Sequence, residues 1–281
     1  MKYLYWEVIN LDRRPIGVFD SGLGGLTAVR ELSRLLPGEE IIYFGDTGRV
    51  PYGSRSRETI TKYARQDVAF LRTFDLKAIV IACGTVSTTA LEVLSAENPI
   101  PVLGVVAPAA EEAAALTRNG KIGLIGTQAS IRTGAYERQI ARLAPDAAVS
   151  ALACPLFVPL VENGRFRPGD KVAEMVAAEY LTPLKEAGVD TLVLGCTHYP
   201  LLSAVIGDFM GSGVKLVNTG AACARQVARQ MEADGTLAGA DGPGVRRYFV
   251  SDSVDDFSRL ASIFLGEDVA GEVAQVDITI Y

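Results

Sequence analysis

The side chains best suited to chemistry in this sequence are two cysteines and the single histidine of the chain. Cys83 lies in AIVIACGTVS and Cys196 in TLVLGCTHYP, so each thiol directly follows a short apolar run typical of a buried strand. His198 lies two residues after Cys196, where an imidazole can hold a thiolate as an ion pair or carry its proton. Cys154 and Cys223 lack such a setting and are interpreted as buried core residues.

An aspartate ends the first apolar run, in GVFDSGLGG. Taken alone, Asp20 fits the N-cap of a following helix, a position at which aspartate is common. The glycine-rich loop after it does not match the dinucleotide fingerprint G-x-G-x-x-G, because Thr27 stands where the last glycine belongs. The backbone N–H groups of this loop could instead hold a carboxylate.

Three kinds of catalytic site can be compared with these residues. A serine hydrolase of the α/β type needs a G-x-S-x-G elbow, which the sequence lacks. A zinc site made of Asp20, Cys83, Cys196 and His198 has suitable ligand types, although the spacing of the ligands is dispersed. The third scheme places one thiol on each face of a substrate carbon, where one removes a proton and the other returns one. Only this scheme uses both strand-end cysteines, and it inverts a stereocentre.

The elements that must position these residues alternate along the chain. Strands are predicted at 16–19, 40–44, 78–82, 102–106, 121–125, 148–153, 191–194, 215–217 and 247–250. Helices are predicted at 26–36, 57–74, 87–96, 109–117, 131–143, 171–187, 221–231 and 254–265. This alternation predicts an α/β fold with largely parallel sheets flanked by helices. The pKa of each strand-end thiol is expected to be lowered, because a helix N-terminus stabilises negative charge.

The surroundings of the two cysteines repeat. AIVIACGTVSTTALEVL at 78–94 resembles TLVLGCTHYPLLSAVI at 191–206, and the two thiols lie 113 residues apart. Any two strand–helix units look partly alike, but a shared cysteine at the same turn favours a duplication. We therefore expect two similar α/β halves, each with one cysteine at the carboxyl end of a central strand. Open α/β sheets bind ligands at the carboxyl ends of their strands.

Composition excludes several classes of protein. The chain has 281 residues, 49% of them hydrophobic, which excludes a disordered chain. With 27 Lys and Arg against 33 Asp and Glu, the net charge of −6 offers no basic surface for nucleic acid. No uninterrupted apolar run reaches the roughly 20 residues that span a membrane, and Glu7 interrupts the apolar N-terminal segment, unlike in a signal peptide. We expect a soluble cytoplasmic protein with reduced thiols.

Six segments of the sequence resemble successive blocks of the cofactor-independent glutamate racemases, which belong to the aspartate/glutamate racemase superfamily. They are GVFDSGLGGLTAVREL, YFGDTGRVPYG, IACGTVS, GLIGT, CPLFVPLVENG and LGCTHYPLL, and they occur in family order from about residue 16 to residue 264. The resemblance implies two α/β domains, 12–106 plus 219–281 and 107–218, with the active site in the cleft between them. It implies no cofactor and no metal, with Cys83 and Cys196 as the two acid/base residues. It further implies that Asp20 assists Cys83, and that His198 and Glu162, in LVENG, assist Cys196.

The same resemblance implies the substrate contacts and the biological role. The substrate-binding residues carried over from the family motifs are Asp20, Ser21, Tyr52, Gly53, Gly84, Thr85, Thr197 and His198. The implied reaction interconverts L- and D-glutamate and supplies D-glutamate for peptidoglycan. The implied partner is therefore this small amino acid, and a homodimer stays open. The alternatives are a racemase for another amino acid such as aspartate, and a catalytically impaired homologue that binds an acidic metabolite.

Two positions depart from the family pattern. The family usually has Asn after the first cysteine, where this chain has Gly84, and an acidic residue where this chain has Ala107. An Asn amide can make one or two hydrogen bonds to the charged head group of the substrate, each contributing roughly 1.5–3 kcal/mol. From the sequence, Gly84→Asn is expected to lower KM for glutamate about tenfold or more. A glycine required for positive φ is the competing explanation.

Overall fold

The computed structural model describes residues 11–239, 242–269 and 273–281, so the N-terminal segment that contains Glu7 lies outside the described residues. The strands in these ranges are Ile16–Asp20 (β1), Ile41–Gly45 (β2), Ala78–Ile81 (β3), Val102–Gly104 (β4), Lys121–Gly126 (β5), Ala148–Ala153 (β6), Thr191–Leu194 (β7), Lys215–Asn218 (β8), Arg246–Val250 (β9) and Val273–Gln275 (β10). The helices are Leu26–Leu35 (α1), Arg57–Leu71 (α2), Gly84–Thr89 (α3), Leu91–Glu97 (α4), Val106–Leu116 (α5), Gln128–Thr133 (α6), Ala135–Leu143 (α7), Phe157–Glu162 (α8), Lys171–Glu186 (α9), Ser203–Met210 (α10), Thr219–Asp234 (α11) and Val254–Leu265 (α12).

The strands form two parallel sheets. The first sheet has the order β10-β9-β2-β1-β3-β4, and the second has the order β6-β5-β7-β8. All neighbouring strands in both sheets are parallel. The order β2-β1-β3-β4 of the first sheet thus recurs in the second as β6-β5-β7-β8. This recurrence confirms the predicted fold of two similar α/β units, and β9 and β10 extend the first sheet beyond β2.

The strand register shows that the two units correspond residue by residue. β1 pairs with β3 in the same relative register in which β5 pairs with β7. When IGVFDS in the first unit is set against IGLIGT in the second, Ser21 and Thr127 occupy equivalent places after their strands. Cys83 and Cys196 are likewise equivalent, two residues beyond the ends of β3 and β7. The two thiols therefore belong to matching turns at the carboxyl ends of central strands.

Apolar side chains on both faces of the central strands hold this architecture together. β1, β2, β3 and β7 are buried along their whole length, as expected for strands covered by helices on both sides. Burying each Val, Leu, Ile or Phe contributes about 1.5–3 kcal/mol. Helix α11 packs against α1 of the first unit and against α5 at the start of the second, and so ties the two units together. Within the described ranges, no helix has both the length and the apolar content needed to cross a bilayer.

Two predicted helices differ in the structure. The helix predicted at 131–143 is split into α6 and α7, because Gly134 between them has a φ of +61°. The helix predicted at 87–96 begins three residues earlier, at Gly84, and is interrupted at Ala90. Helices α8 and α10 and strand β10 were not predicted. Pro159 lies in the first turn of α8, where a missing backbone N–H is tolerated.

Candidate active site

One cavity of about 390 Å³ lies where the strand ends of both units meet. All but one of the predicted site residues line it, namely Ser21, Tyr52, Gly53, Cys83, Gly84, Thr85, Glu162, Cys196, Thr197 and His198. The exception, Asp20, is buried at the carboxyl end of β1. Ala107 lines a different cavity. Both cysteines thus face a single space between the units, where the sequence places the site.

Cys83 is held at the start of α3 by its neighbours in the first unit. Its thiol donates a hydrogen bond to the Ser21 hydroxyl, with the two heavy atoms 3.3 Å apart. Burial, followed by the negative charge of Asp20, raises the pKa of the Cys83 thiol to about 12. The lowered pKa expected from the sequence is therefore wrong for Cys83. The N-terminus of the six-residue helix α3 is outweighed by burial and by the adjacent carboxylate.

Asp20 is a buried carboxyl group beside the Cys83 thiol. Burial raises its pKa, while the charge of His198 and the nearby Gly25 backbone, Cys83 thiol and Gly22 backbone oppose the rise. Its Oδ2 accepts a hydrogen bond from the Gly22 N–H at 3.1 Å. No donor among the described residues reaches Oδ1 with full hydrogen-bond geometry. The carboxyl group is therefore able to accept a proton from the adjacent Cys83 thiol.

His198 lies between Cys196 and Glu162. Its Nδ1 is 3.9 Å from the Cys196 Sγ, and its Nε2 is 3.1 Å from the Glu162 Oε1. Burial alone would lower the pKa of His198, but the interactions with Cys196 and Glu162 raise it to about 10. The imidazole is therefore a cation at neutral pH, placed to stabilise a Cys196 thiolate. The Glu162 side chain, 39% exposed, connects this pair to solvent.

Close packing fixes the orientation of the His198 ring. A Cβ on Gly24 would lie 2.5 Å from the His198 Nδ1 and 2.1 Å from the Thr197 Oγ1, so only glycine lets the loop before α1 approach this turn. The Thr27 hydroxyl donates to the Thr197 carbonyl oxygen at 3.0 Å. The Phe264 ring of α12 meets the imidazole edge-on, with 5.2 Å between ring centroids. The glycine-rich loop is thus required for packing between the units.

Gly84 lines the cavity. Its φ is not positive, so backbone conformation does not explain why this residue is glycine. A Cβ at Gly84 would lie 2.4 Å from the carbonyl oxygen of Gly195, at the turn that carries Cys196. Because this neighbour is backbone, it cannot simply rotate away. The structure therefore contradicts the expectation that Gly84→Asn improves binding.

Sequence reasoning missed Thr127, which lines the cavity from the second unit. Its hydroxyl lies 3.0 Å from the Thr85 hydroxyl, across the boundary between the units. A second crossing contact runs from the Ala129 N–H to the Gly53 carbonyl oxygen at 2.9 Å. The signal that identifies Thr127 was available, because IGLIGT places it after β5 as IGVFDS places Ser21 after β1. The other cavity residues not predicted are Gly22, Val50, Pro51, Ser54, Gln128, Pro155, Val158, Pro159 and Tyr199.

The zinc site considered from Asp20, Cys83, Cys196 and His198 is not formed. Within the part of the chain that the structure describes, no group of three or more His, Cys, Asp or Glu side chains could hold a metal ion. All four cysteines are free thiols. The two predicted as core residues are fully buried, as expected.

Two α/β units thus bring matched thiols to one cavity, with Asp20 beside Cys83 and His198 beside Cys196. A sequence model of the Asp/Glu/hydantoin racemase family matches residues 16–227, and the chain belongs to this family. It is 49% identical over 265 residues to the glutamate racemase of Geobacter metallireducens, covering 94% of this chain and 97% of the relative.

Solved structures give the same family. The glutamate racemase of Thermus thermophilus, in complex with β-chloro-D-alanine, has a TM-score of 0.85 and 44% identity, covering 95% of this chain and 98% of that one. The glutamate racemase of Francisella tularensis, in complex with D-glutamate, has a TM-score of 0.88 and 36% identity, covering 96% and 100%. These similarities confirm the resemblance noted in the sequence motifs.

Proposed function

We propose that this enzyme interconverts L- and D-glutamate by proton transfer at Cα between Cys83 and Cys196. The observation that carries the proposal is the pair of thiols at equivalent strand ends, both lining one cavity of about 390 Å³. Relatives that match nearly the whole chain are named glutamate racemases, and the Francisella protein holds D-glutamate. Inversion of a stereocentre needs a base and an acid on opposite faces of the carbon, which a pair of thiols supplies.

In one direction the Cys196 thiolate removes the Cα proton, while the Cys83 thiol delivers its own proton to the opposite face. The electron pair of the broken C–H bond forms the new C–H bond, so Cys196 ends as a thiol and Cys83 as a thiolate. The groups around the two thiols suit the start of this direction. Cys83, with its pKa raised to about 12, is a thiol, and the His198 cation stands beside Cys196.

The reverse direction needs Cys83 as the base. Asp20, whose pKa burial raises, is placed to accept the Cys83 proton, and the Ser21 hydroxyl can then donate to the thiolate. His198 supplies the proton that makes Cys196 the acid, and Glu162 orients the imidazole through its Nε2. Each thiol thus has its own partner for its own direction.

The substrate contacts are proposed from the cavity lining. Ser21 and Thr85 of the first unit, Thr127 and Thr197 of the second, and the backbone at Gly53 supply hydroxyl and N–H donors to the charged ends of glutamate. The hydroxyl of Tyr52, by contrast, is turned toward a buried carboxylate. Tyr52 therefore shapes the cavity through its ring and backbone.

The biological setting is proposed from the family resemblance. We propose a cytoplasmic enzyme that supplies D-glutamate for peptidoglycan. The two sheets support the proposed division of the chain into 12–106 plus 219–281 and 107–218, because β1 to β4 and β9 to β10 form one sheet and β5 to β8 form the other.

Circular dichroism of the purified protein with each enantiomer of glutamate tests the proposal. Wild-type protein should bring L- and D-glutamate to the same racemic end point, and Cys83→Ala and Cys196→Ala should each abolish the change. Cys223→Ala is the matched control, because this cysteine is equally buried but does not line the cavity. Full activity of either cavity variant refutes the two-thiol mechanism. If aspartate is turned over faster than glutamate, aspartate is the substrate. If glutamate binds but is not turned over, the protein is a catalytically impaired homologue.

A further inference from the structure

A buried cluster of charges lies behind the loop that carries Tyr52. Asp46 directly follows β2 and Asp67 lies on α2, and both are fully buried. Arg49 donates to both carboxyl groups, from Nε to the Asp46 Oδ2 at 2.6 Å and from Nη2 to the Asp67 Oδ1 at 2.8 Å. The Ser251 hydroxyl donates to the remaining Asp46 oxygen at 2.8 Å. Two fully buried carboxyl groups therefore share one cation, and an uncompensated charge at such a position is strongly unfavourable.

The Tyr52 hydroxyl lies between the two carboxyl groups. It contacts the Asp46 Oδ2 closely and lies 3.3 Å from the Asp67 Oδ2. A phenol has a single hydrogen to donate, and burial and the two carboxyl groups raise the pKa of Tyr52, so this hydrogen is retained. The closer oxygen, on Asp46, receives it. At 3.3 Å the Asp67 Oδ2 can share this hydrogen only weakly. A proton on Asp67, donated to the phenol oxygen, gives each of the two contacts its own hydrogen.

We infer that Asp67 is a protonated positioning residue, whose proton orders the chain Asp67 to Tyr52 to Asp46 and so fixes the loop at the substrate cavity. The groups that face Asp67 agree with this assignment. Burial and the charge of Asp46 raise the pKa of Asp67 well above its usual value, and Asp20 adds weakly to this rise, while Arg49 and the Tyr52 hydroxyl oppose it. Arg49 and the Asp46 carboxylate then form a neutral pair.

The chain of hydrogen bonds matters for catalysis because the loop it holds forms one wall of the cavity. Val50, Pro51, Tyr52 and Gly53 all line that wall, and the Gly53 carbonyl oxygen accepts the hydrogen bond that crosses to the second unit. These residues border the cavity and supply no acid/base group to the proposed proton transfer. Loss of the Asp67 hydrogen bond should therefore raise KM more than it lowers kcat. This expected effect on catalysis rests on the proposed function.

Two substitutions at Asp67 and one at Asp46 test the inference through kinetics. Asp67→Asn keeps the shape of a protonated carboxyl group and its amide can donate to Tyr52, so KM and kcat should stay within about twofold of wild type. Asp67→Ala should raise KM about tenfold, because it removes one hydrogen bond that holds the loop in place. Asp46→Asn removes the carboxylate opposite Arg49 and should be more harmful than Asp67→Asn. The reverse ranking, with Asp46→Asn tolerated and Asp67→Asn damaging, would overturn the inference.

Thermal unfolding as a function of pH tests the same proton without any substrate. A carboxyl group protonated in the folded chain and ionised in the unfolded chain weakens folding up to tenfold for each pH unit above its unfolded pKa. Asparagine cannot ionise, so Asp67→Asn should become progressively more stable than wild type between about pH 5 and pH 8. An Asp67→Asn protein whose stability relative to wild type is constant or falls over this range would refute a protonated Asp67.

Asp190 provides the matched control for that measurement. Its carboxylate accepts hydrogen bonds from the Thr117 hydroxyl and from the backbone of Arg118 and Asn119, and these lower its pKa. Such a group stabilises the fold above its unfolded pKa, so Asp190→Asn should show a constant deficit between about pH 5 and pH 8. If wild-type protein racemises no glutamate, the proposed function fails, and the unfolding comparison still decides the protonation of Asp67.

Discussion

Replacing Gly84 tests how closely the two cysteine-bearing turns are packed. Gly84 opens helix α3 immediately after Cys83, and a Cβ there would lie 2.4 Å from the Gly195 carbonyl oxygen and 3.9 Å from the Cys196 Cα. Ordinary contacts of a Cβ begin near 3.4 Å, so alanine requires about 1 Å of additional separation between the turns. The absence of a side chain at Gly84 therefore sets the spacing of the two thiols.

The expected effect of Gly84→Ala and Gly84→Asn follows from that distance. Overpacking of this size destabilises a fold by roughly 1–3 kcal/mol. A misplacement of about 1 Å between catalytic groups lowers the rate about 100-fold. We therefore expect kcat to fall about 100-fold in both directions, because the shift changes the position of both thiols relative to the same carbon. The amide of Gly84→Asn cannot improve substrate affinity, since its own Cβ has no room.

Initial rates from L- and D-glutamate, followed by circular dichroism, measure this effect, and thermal unfolding separates it from loss of the fold. Gly207→Ala is the matched control, since Gly207 also lies in a helix, but its Cβ would meet nothing closer than the Leu216 Cδ1 at 3.9 Å. Alanine there should leave kcat unchanged and stabilise the helix by about 0.5–1 kcal/mol. A lower KM for glutamate in Gly84→Asn, or a wild-type kcat in Gly84→Ala, would refute the packing argument.

The remaining predictions concern the partners of the two thiols and the absence of a cofactor. Asp20→Asn and His198→Asn should slow the two directions of racemisation unequally, because each residue serves a different thiol; equal losses from both enantiomers would contradict the assignment. The raised pKa of His198 favours folding below pH 6.5, and this contribution is lost as the pH rises toward about 10. The stability advantage of wild type over His198→Gln should therefore shrink across that range in thermal unfolding, whereas a constant difference would count against the charged imidazole. A thiol alkylator should inactivate the enzyme, with glutamate protecting Cys83 and Cys196, while dialysis against EDTA should leave activity unchanged. Activity lost to EDTA and restored by a metal would revive a metal site.

The central strands could be predicted because burial on both faces leaves a visible mark on the sequence. The run AIVIA predicts β3 and the run TLVLG predicts β7, each to within one residue at its carboxyl end. β10 leaves no such mark, since it has only three residues, pairs only with β9 and is mostly exposed. Helix α8 was missed because Pro155 and Pro159 indicate a loop, and only the structure shows that Pro159 occupies a first helical turn.

The same contrast holds for the candidate site. The strand-end residues were predictable because a parallel fold brings the carboxyl ends of its strands together, whatever their distance in sequence. The raised pKa of Cys83 was not predictable, because it depends on burial and on the Asp20 charge beside it. The pair Asp46 and Asp67 was not predictable either. Their carboxyl groups lie on different elements, and only the tertiary fold places Arg49 between them.

The burial of both thiols affects how the free enzyme returns to its starting protonation state in the proposed mechanism. Each turnover exchanges the roles of the two cysteines, so that the former thiolate becomes a thiol and the former thiol becomes a thiolate. Cys83 and Cys196 are only 4% and 7% exposed, and Asp20 is 1% exposed, so the Cys83 side exchanges protons with water through the cavity that the substrate also enters. Until its protons re-equilibrate, the protonation state of the free enzyme therefore depends on which enantiomer it released last. At high glutamate concentration this resetting, and not the chemistry at Cα, should limit turnover, and an excess of one enantiomer should drive labelled molecules of the other against their own gradient.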